Sequence, residues 1–262
     1  MQSTTSTTVW RLILATICLL FLSFGLSRVS IPTVPPKKAI HVLCYHDISP
    51  TPTTRFARTP EQLARDFESL LDNELLIVPM DTAIQQLQSG KQMLDNWVVL
   101  TFDDATKGQF DFARPLLLQY GFPATFFTPT RSVETMTPVS PAYSGVMSWQ
   151  DLRLLQEEGF SLASHSHDHR SFARMTAKEI EKDISQSLML LRDKLGIISQ
   201  DLCLPFGEYR LGDETTFLKM GLRSIALTTT DHGPGLKELL KIHRFEIHAD
   251  TDQATIVARI KP

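Results

Sequence analysis

Three of the chain's eight histidines crowd into "SHSHDH", at His165, His167 and His169. His165 and His169 are four apart, a spacing that brings two imidazole nitrogens to one cation where the chain turns helically. Earlier, Asp103 and Asp104 stand side by side at the end of the apolar run "WVVLTFD". Two imidazoles and one carboxylate make a metal site with a position left open for water. Adjacent side chains at a strand end diverge, so the second carboxylate can face that water and act as general base. Alone, "HSHDH" reads equally well as a solvated loop and "DD" as a turn. Together, at strand ends, they point to a metal centre built for hydrolysis.

These residues need a frame that brings them together. From residue 39 onward, short apolar runs alternate with helical patterns. The runs 39–48, 75–80, 97–103, 124–130, 160–166, 201–207 and 224–230 read as strands, and a last strand lies near "KIHRFEIH". Helices are predicted at "TPEQLARDFESLLDN", "DTAIQQLQSG", "FDFARPLLLQYG", "SWQDLRLLQEEG", "TAKEIEKDISQSLMLLRDKLG" and "DETTFLKMG". Thr59 with Gln62 and Thr176 with Glu179 form capping boxes, Pro60 takes the first helical position, and Ser148 and Asp151 cap a third helix. The strands are continuously apolar, which implies helices on their outer faces and a parallel sheet. Seven or eight strands favour closure, so the expected fold is α/β, a distorted (β/α) barrel in a single domain. In such folds sites form at the carboxyl ends of strands. "YHD" at 45–47, "DD" at 103–104, "HSHDH" at 165–169, "PFGE" after 204 and "TTTDHG" near 231 should therefore share one rim.

Composition narrows the class. The chain has 262 residues, 42% hydrophobic and 21% charged, with formal net charge −3. That is enough apolar material for a large core, and the scattered lysines and arginines give no support to nucleic-acid binding. The N-terminus differs. Leu12–Leu26 is an uncharged apolar run, short of the ~20 residues of a membrane span and suited to a signal-peptide core. Residues 1–27 are expected to be a signal peptide or membrane anchor, 28–38 a proline-rich linker, and 39–262 the folded domain. The protein is then exported, either secreted or held extracytoplasmically at the membrane. Cys18 falls in the hydrophobic segment. Cys44 and Cys203 could pair in an oxidising compartment, but both sit in strand-like runs and are expected as buried thiols.

The stretch "VVLTFDDATKGQFDFARPLLLQYGFPATFF" followed by "GFSLASHSHDH" resembles the polysaccharide deacetylases, the carbohydrate esterases with the NodB homology domain. Their motifs are T-F-D-D-G, H-S/T-x-x-H and R-x-P-Y/F-G on a distorted (β/α) barrel. The resemblance implies Asp103 as general base, and Asp104, His165 and His169 as ligands of a divalent metal, zinc before cobalt or nickel. "LPFG" matches the third motif, which implies that the Phe206 N–H helps hold the oxyanion. "VLCYHDI" and "FARTPEQLARDFESLL" are similar to the exported deacetylases of poly-β-1,6-N-acetylglucosamine. That branch implies His46 as general acid, with His243 and His248 as competitors. The implied partners are a polysaccharide substrate and exopolysaccharide synthesis or export machinery, with membrane association if the N-terminal segment is retained. Chitin oligomers, peptidoglycan or O-acetylated xylan are alternative substrates, and a non-catalytic glycan-binding protein keeping the metal is the alternative class.

Three departures from the pattern stand out. Ala105 replaces the glycine of the first motif, which matters if that residue needs positive φ. Cys203 stands where many members carry an arginine beside the base, so Asp103 must be oriented by another group. Asp231 lacks the tryptophan usual in its motif. Tyr143 and Trp149 lie in the loop-rich stretch 131–149, where aromatics could stack on sugar rings; Trp149 is expected to pack in the protein instead.

Overall fold

The computed structural model describes residues 38–228 and 238–261. The expected signal or anchor segment, the linker up to residue 37, Cys18 and Asp231 lie outside the described residues. Among those described, no helix is long and apolar enough to cross a membrane.

Seven strands close into a parallel barrel. They are β1 (Ile40–Tyr45), β5 (Trp97–Phe102), β6 (Thr125–Thr128), β7 (Ser161–Ser164), β8 (Asp201–Cys203), β9 (Ser224–Leu227) and β10 (Leu240–Glu246). The order runs β1-β10-β9-β8-β7-β6-β5 and returns to β1 through the β1–β5 pairing, Ile40 opposite Trp97 to Tyr45 opposite Phe102. An eighth strand, β4 (Leu76–Ile77), pairs with the start of β5, beside which β6 pairs with its end. The short β2 (Asp47–Ile48) and β3 (Ala57–Arg58) form a separate ladder at the rim.

Strand alternation decides which side chains enter the barrel. Val42, Val99, Phe127, Ala163, Cys203, Ala226 and Ile242, one from each barrel strand, form a single buried cluster, joined by Met80, Ala83 and Ile84 from the helix Met80–Ser89. Counting two residues onward from these positions reaches Cys44 and His46, Thr101 and Asp103, His165, and Arg244 and Glu246. The functional rim is the continuation of the core's own period. A larger cluster, including Leu43, Leu100, Phe102, Phe126 and Leu162, packs the outer face of the strands beneath the helices.

Local chemistry sets the helix boundaries. The capping boxes at Thr59/Gln62 and Thr176/Glu179 are formed, and Ser148 and Asp151 close a third at the helix Trp149–Glu157. Gly90, Gly121 and Gly196 end their helices in the left-handed region, where an L-residue is disfavoured. Several elements are shorter than expected. The first strand stops at Tyr45, since His46 leaves the ladder before β2. The run 75–80 is strand only at Leu76–Ile77, and Met80 opens a helix. Thr130 likewise starts the helix Thr130–Thr135, and a further helix, Gln253–Ile260, has no counterpart in the expected set. "FDFARPLLLQYG" splits into a π-helical turn at Gln109–Ala113 and an α-helix at Arg114–Tyr120.

Candidate active site

Asp104, His165 and His169 converge at the carboxyl ends of β5 and β7. The Asp104 Oδ1 lies 3.4 Å from His165 Nε2 and 3.1 Å from His169 Nε2, and the two nitrogens are 3.2 Å apart. A tetrahedral ion with bonds of about 2.0–2.1 Å holds its ligand atoms roughly 3.3 Å from one another. The triangle has that size. Asp104 Oδ1 is buried with no hydrogen-bond partner among the described residues, so the oxygen is left for a cation rather than a proton donor. On the far side of its ring, His165 Nδ1 lies 3.0 Å from the Cys203 carbonyl. Donating there fixes the tautomer that turns the Nε2 lone pair toward Asp104. The residues present fit a divalent metal.

Unusual backbone makes the convergence. Asp104 has φ 76° and Ala105 φ 49°, so the motif's glycine position does require the left-handed region, and here an alanine occupies it. Ser166 and His169 are also left-handed, at 66° and 51°. Within the loop, the His169 N–H donates to Ser166 Oγ at 2.9 Å.

Asp103 points into the barrel and meets Arg244. The guanidinium donates from Nη1 to Oδ1 and from Nη2 to Oδ2, both at 2.7 Å, in a bidentate pair that is almost wholly buried. Arg244 also donates to Cys203 Sγ at 2.9 Å and to Thr101 Oγ1 at 3.2 Å. Burial opposes the Asp103 charge, but Arg244, and after it His165, outweighs burial and holds the carboxyl far below the usual range. Asp104 is likewise held ionised against burial by the two imidazoles beside it. Arg244 was not anticipated from the sequence. It answers the departure at Cys203: a cysteine leaves room, and an arginine from β10 fills it.

The two thiols are free, as expected, and not a disulfide. Cys44 and Cys203 each approach Asp103 Oδ2 at 3.4 Å, and burial pushes both up, so they stay protonated as weak donors.

Across the cleft stands His46. Its side-chain nitrogen, Cys44 Sγ and an Asp103 oxygen lie within 4.8 Å of one another. His46 Nε2 is 3.7 Å from Glu246 Oε1, while Nδ1 is buried without a hydrogen-bond partner among the described residues. His248 is bound to the other Glu246 oxygen at 2.7 Å and does not line the cleft. His243 is exposed on the outer face of β10. Of the three histidines, geometry places only His46 on the cleft. Gln109, fully buried in the π-helical turn, donates its side-chain amide to the carbonyls of His46, at 2.8 Å, and of Asp103. It ties the two backbones together.

The cleft has a volume of about 380 Å³. Phe56, Tyr143 and Phe206 supply aromatic walls, and Thr54, Arg55, Val139 and Ser140 line its rim. Phe206 is left-handed, with φ 62° and ψ 3°, and its ring meets the His169 ring at 5.2 Å. Burial and the neighbouring Asp104 charge keep the Tyr143 phenol protonated. Trp149 lies outside the cleft, packed on the core with its Nε1 donating to Glu134 at 2.6 Å. His167 turns away from the ligand triangle to Thr130 Oγ1, at 2.9 Å. Four of the five expected loci thus meet at one rim; of the fifth, Thr228 lines the cleft and the rest lies outside the described residues.

Residues 90–225 match the family model for polysaccharide deacetylase. YxkH of Bacillus subtilis, named for a polysaccharide deacetylase, is 23% identical over 223 residues, covering 83% of this chain and 74% of that protein. The deacetylase PplD of Streptococcus pyogenes superposes with a TM-score of 0.72 at 17% identity, over 86% of this chain and 100% of that one. A de-N-acetylase from Aggregatibacter actinomycetemcomitans superposes at 0.69 and 17% identity, over 84% and 98%. The barrel is the one these structures share, and the matched segment carries both the Asp-Asp and the His-x-x-x-His motifs: the chain belongs to the polysaccharide deacetylase family of enzymes.

Proposed function

We propose that this protein removes N-acetyl groups from an exported polysaccharide containing N-acetylglucosamine, with poly-β-1,6-N-acetylglucosamine as the first candidate. The observation that carries the reading is one juxtaposition. A carboxylate held ionised by Arg244 lies beside an Asp104–His165–His169 triangle of metal-ligand size, and His46 stands at the same cleft. The N-deacetylase activity named for one fold relative supports the choice of amide over ester.

Asp104, His165 and His169 would hold a divalent metal, zinc first among candidates. When bound there, it supplies a Lewis acid that lowers the pKa of water and polarises the acetyl carbonyl. The chain's own groups do the rest. Asp103, ionised and fixed in orientation by two hydrogen bonds, takes the proton from the attacking water. The Phe206 N–H steadies the oxyanion. His46, protonated, passes its proton to the sugar nitrogen, which otherwise leaves poorly. Phe56 and Tyr143 line the cleft and give a pyranose aromatic surface to pack against. The apolar N-terminal segment supports an extracytoplasmic location, secreted or membrane-anchored, beside the machinery that makes or exports the polymer.

Acetate release from N-acetylglucosamine polymers, measured with and without chelator, tests the reading. Release that chelator stops and zinc restores is the expected result. Metal uptake without acetate release from any glycan in a panel of β-1,6- and β-1,4-linked N-acetylglucosamine polymers, peptidoglycan and acetylated xylan would overturn it.

A further inference from the structure

The two histidine ligands sit at the ends of a five-residue loop, and that loop is gripped from both sides. On one side, the helix Ala177–Leu195 presents the buried side chain of Asp183. Its Oδ1 accepts the His167 N–H and its Oδ2 the Asp168 N–H, both at 2.8 Å. On the other side, the start of the helix Thr130–Thr135 donates the Thr130 N–H to the Ser166 carbonyl at 3.2 Å and the Arg131 N–H to the His167 carbonyl at 3.1 Å. Nothing in the proposed chemistry uses Asp183. It touches neither the cleft nor a ligand side chain.

Two features make the grip consequential. Ser166 and His169 are both left-handed, a conformation that costs an L-residue about 1–2 kcal/mol and persists only where the surroundings impose it. A carboxylate, moreover, accepts with both oxygens and donates with neither, so it can satisfy two successive N–H groups pointing the same way. An amide cannot, because its NH2 end would face an N–H. Charge-assisted bonds of this length are also stronger than neutral ones.

We infer that Asp183 is a positioning residue for the metal centre: by pinning the His167 and Asp168 amides it sets the separation of the His165 and His169 nitrogens. The inference rests on the reading of Asp104, His165 and His169 as ligands. The 3.2 Å gap between the two Nε2 atoms is the quantity it controls. Removing the grip lets the loop relax out of its left-handed turns and leaves the ligands to be gathered by the ion itself.

The test measures zinc binding to metal-free protein by competition with a chromophoric chelator, alongside the melting temperature with and without zinc. Asp183→Asn is expected to weaken zinc about tenfold, within the range seen when groups behind metal ligands are altered, and to shrink the zinc-induced rise in melting temperature. Asp183→Glu keeps the charge but displaces the oxygens by one methylene, and it is expected to weaken zinc severalfold. It serves as the readout should the asparagine variant not fold. Ile184→Val trims a buried methyl on the same helix, away from the loop's hydrogen bonds, and controls for helix packing. Wild-type zinc affinity in both Asp183 variants that fold, whatever happens to their melting temperatures, would overturn the inference while leaving the metal centre standing. Failure of the wild-type protein itself to take up zinc would overturn both.

Discussion

On one side of the cleft the proposed metal ligands come from two compact stretches, Asp104 in the Asp-Asp pair and His165–His169, and four residues of those motifs or next to them are left-handed. On the other side, His46 directly follows β1 and Arg244 and Glu246 lie on β10, two strands far apart in sequence but paired in parallel, with Val42 opposite Arg244 and Cys44 opposite Glu246. The ligand side needs atoms from neighbouring residues bent onto one point, which only special backbone achieves, so its signature is local. The acid–base side needs only side chains that enter the barrel at the right level. Strand parity supplies that without any motif.

If this division is right, damage on the two sides should differ in kind. His165→Ala removes a ligand whose place no neighbour can take. Acetate release should fall to background and zinc content to near zero, with the fold retained. Residual zinc-dependent turnover above about one part in a thousand would mean that the triangle is not the metal centre.

Arg244 should break differently, through the fold as much as through turnover. Replacing it by methionine strands a buried carboxylate, and losing one partner of a buried pair costs about 3–5 kcal/mol. Urea unfolding should show that loss, and acetate release should fall because Asp103 loses the orientation its two bonds provide. Arg244→Lys keeps the charge but not the fork, and should recover part of the stability and little of the rate. Equal recovery of both would show that charge alone matters there.

A smaller effect separates the candidate acids. His46→Gln should lower kcat by about a hundredfold, the lower part of the usual range for an acid catalyst, with zinc affinity unchanged. His248→Gln acts through the shared Glu246 and the Phe56 ring it meets edge-on, and should cost about tenfold or less. The reverse order would move the acid to His248 and redraw the acid–base side.

The sequence was legible where chemistry forces a spacing. Asp103, Asp104, His165 and His169 meet as their spacing suggested, and His167 turns away. The barrel was legible from the continuous apolar runs. Strand ends were less so, because Met80 and Thr130 look apolar or β-prone yet begin helices as the chain leaves the sheet. Arg244 and Glu246 were missed because "KIHRFEIH" displays its histidines, of which His243 alternates out of the barrel and His248 lies past the strand's end, while Ile242, Arg244 and Glu246 point in. The period that names Val42, Val99 and Ile242 as core would have found them. Asp183 carries no signal of this kind, since its role depends on where a helix lands against a loop.

The smallest effect belongs to Ala105, the one residue of the ligand side that breaks its own motif. At φ 49° an alanine is strained by about 1–2 kcal/mol relative to glycine. Glycine would relieve that strain, but it adds roughly 0.4–1 kcal/mol of unfolded-chain entropy. It also deletes a fully buried methyl that packs in the core, worth about 0.8 kcal/mol. The contributions nearly cancel, which explains how alanine stands where the family carries glycine. Ala105→Gly should therefore leave unfolding free energy within about 1 kcal/mol of wild type and zinc affinity unchanged, whereas Ala105→Val, β-branched in the same conformation, should destabilise clearly. A large gain in stability on Ala105→Gly would show that the methyl packs poorly and that the ligand side stores strain.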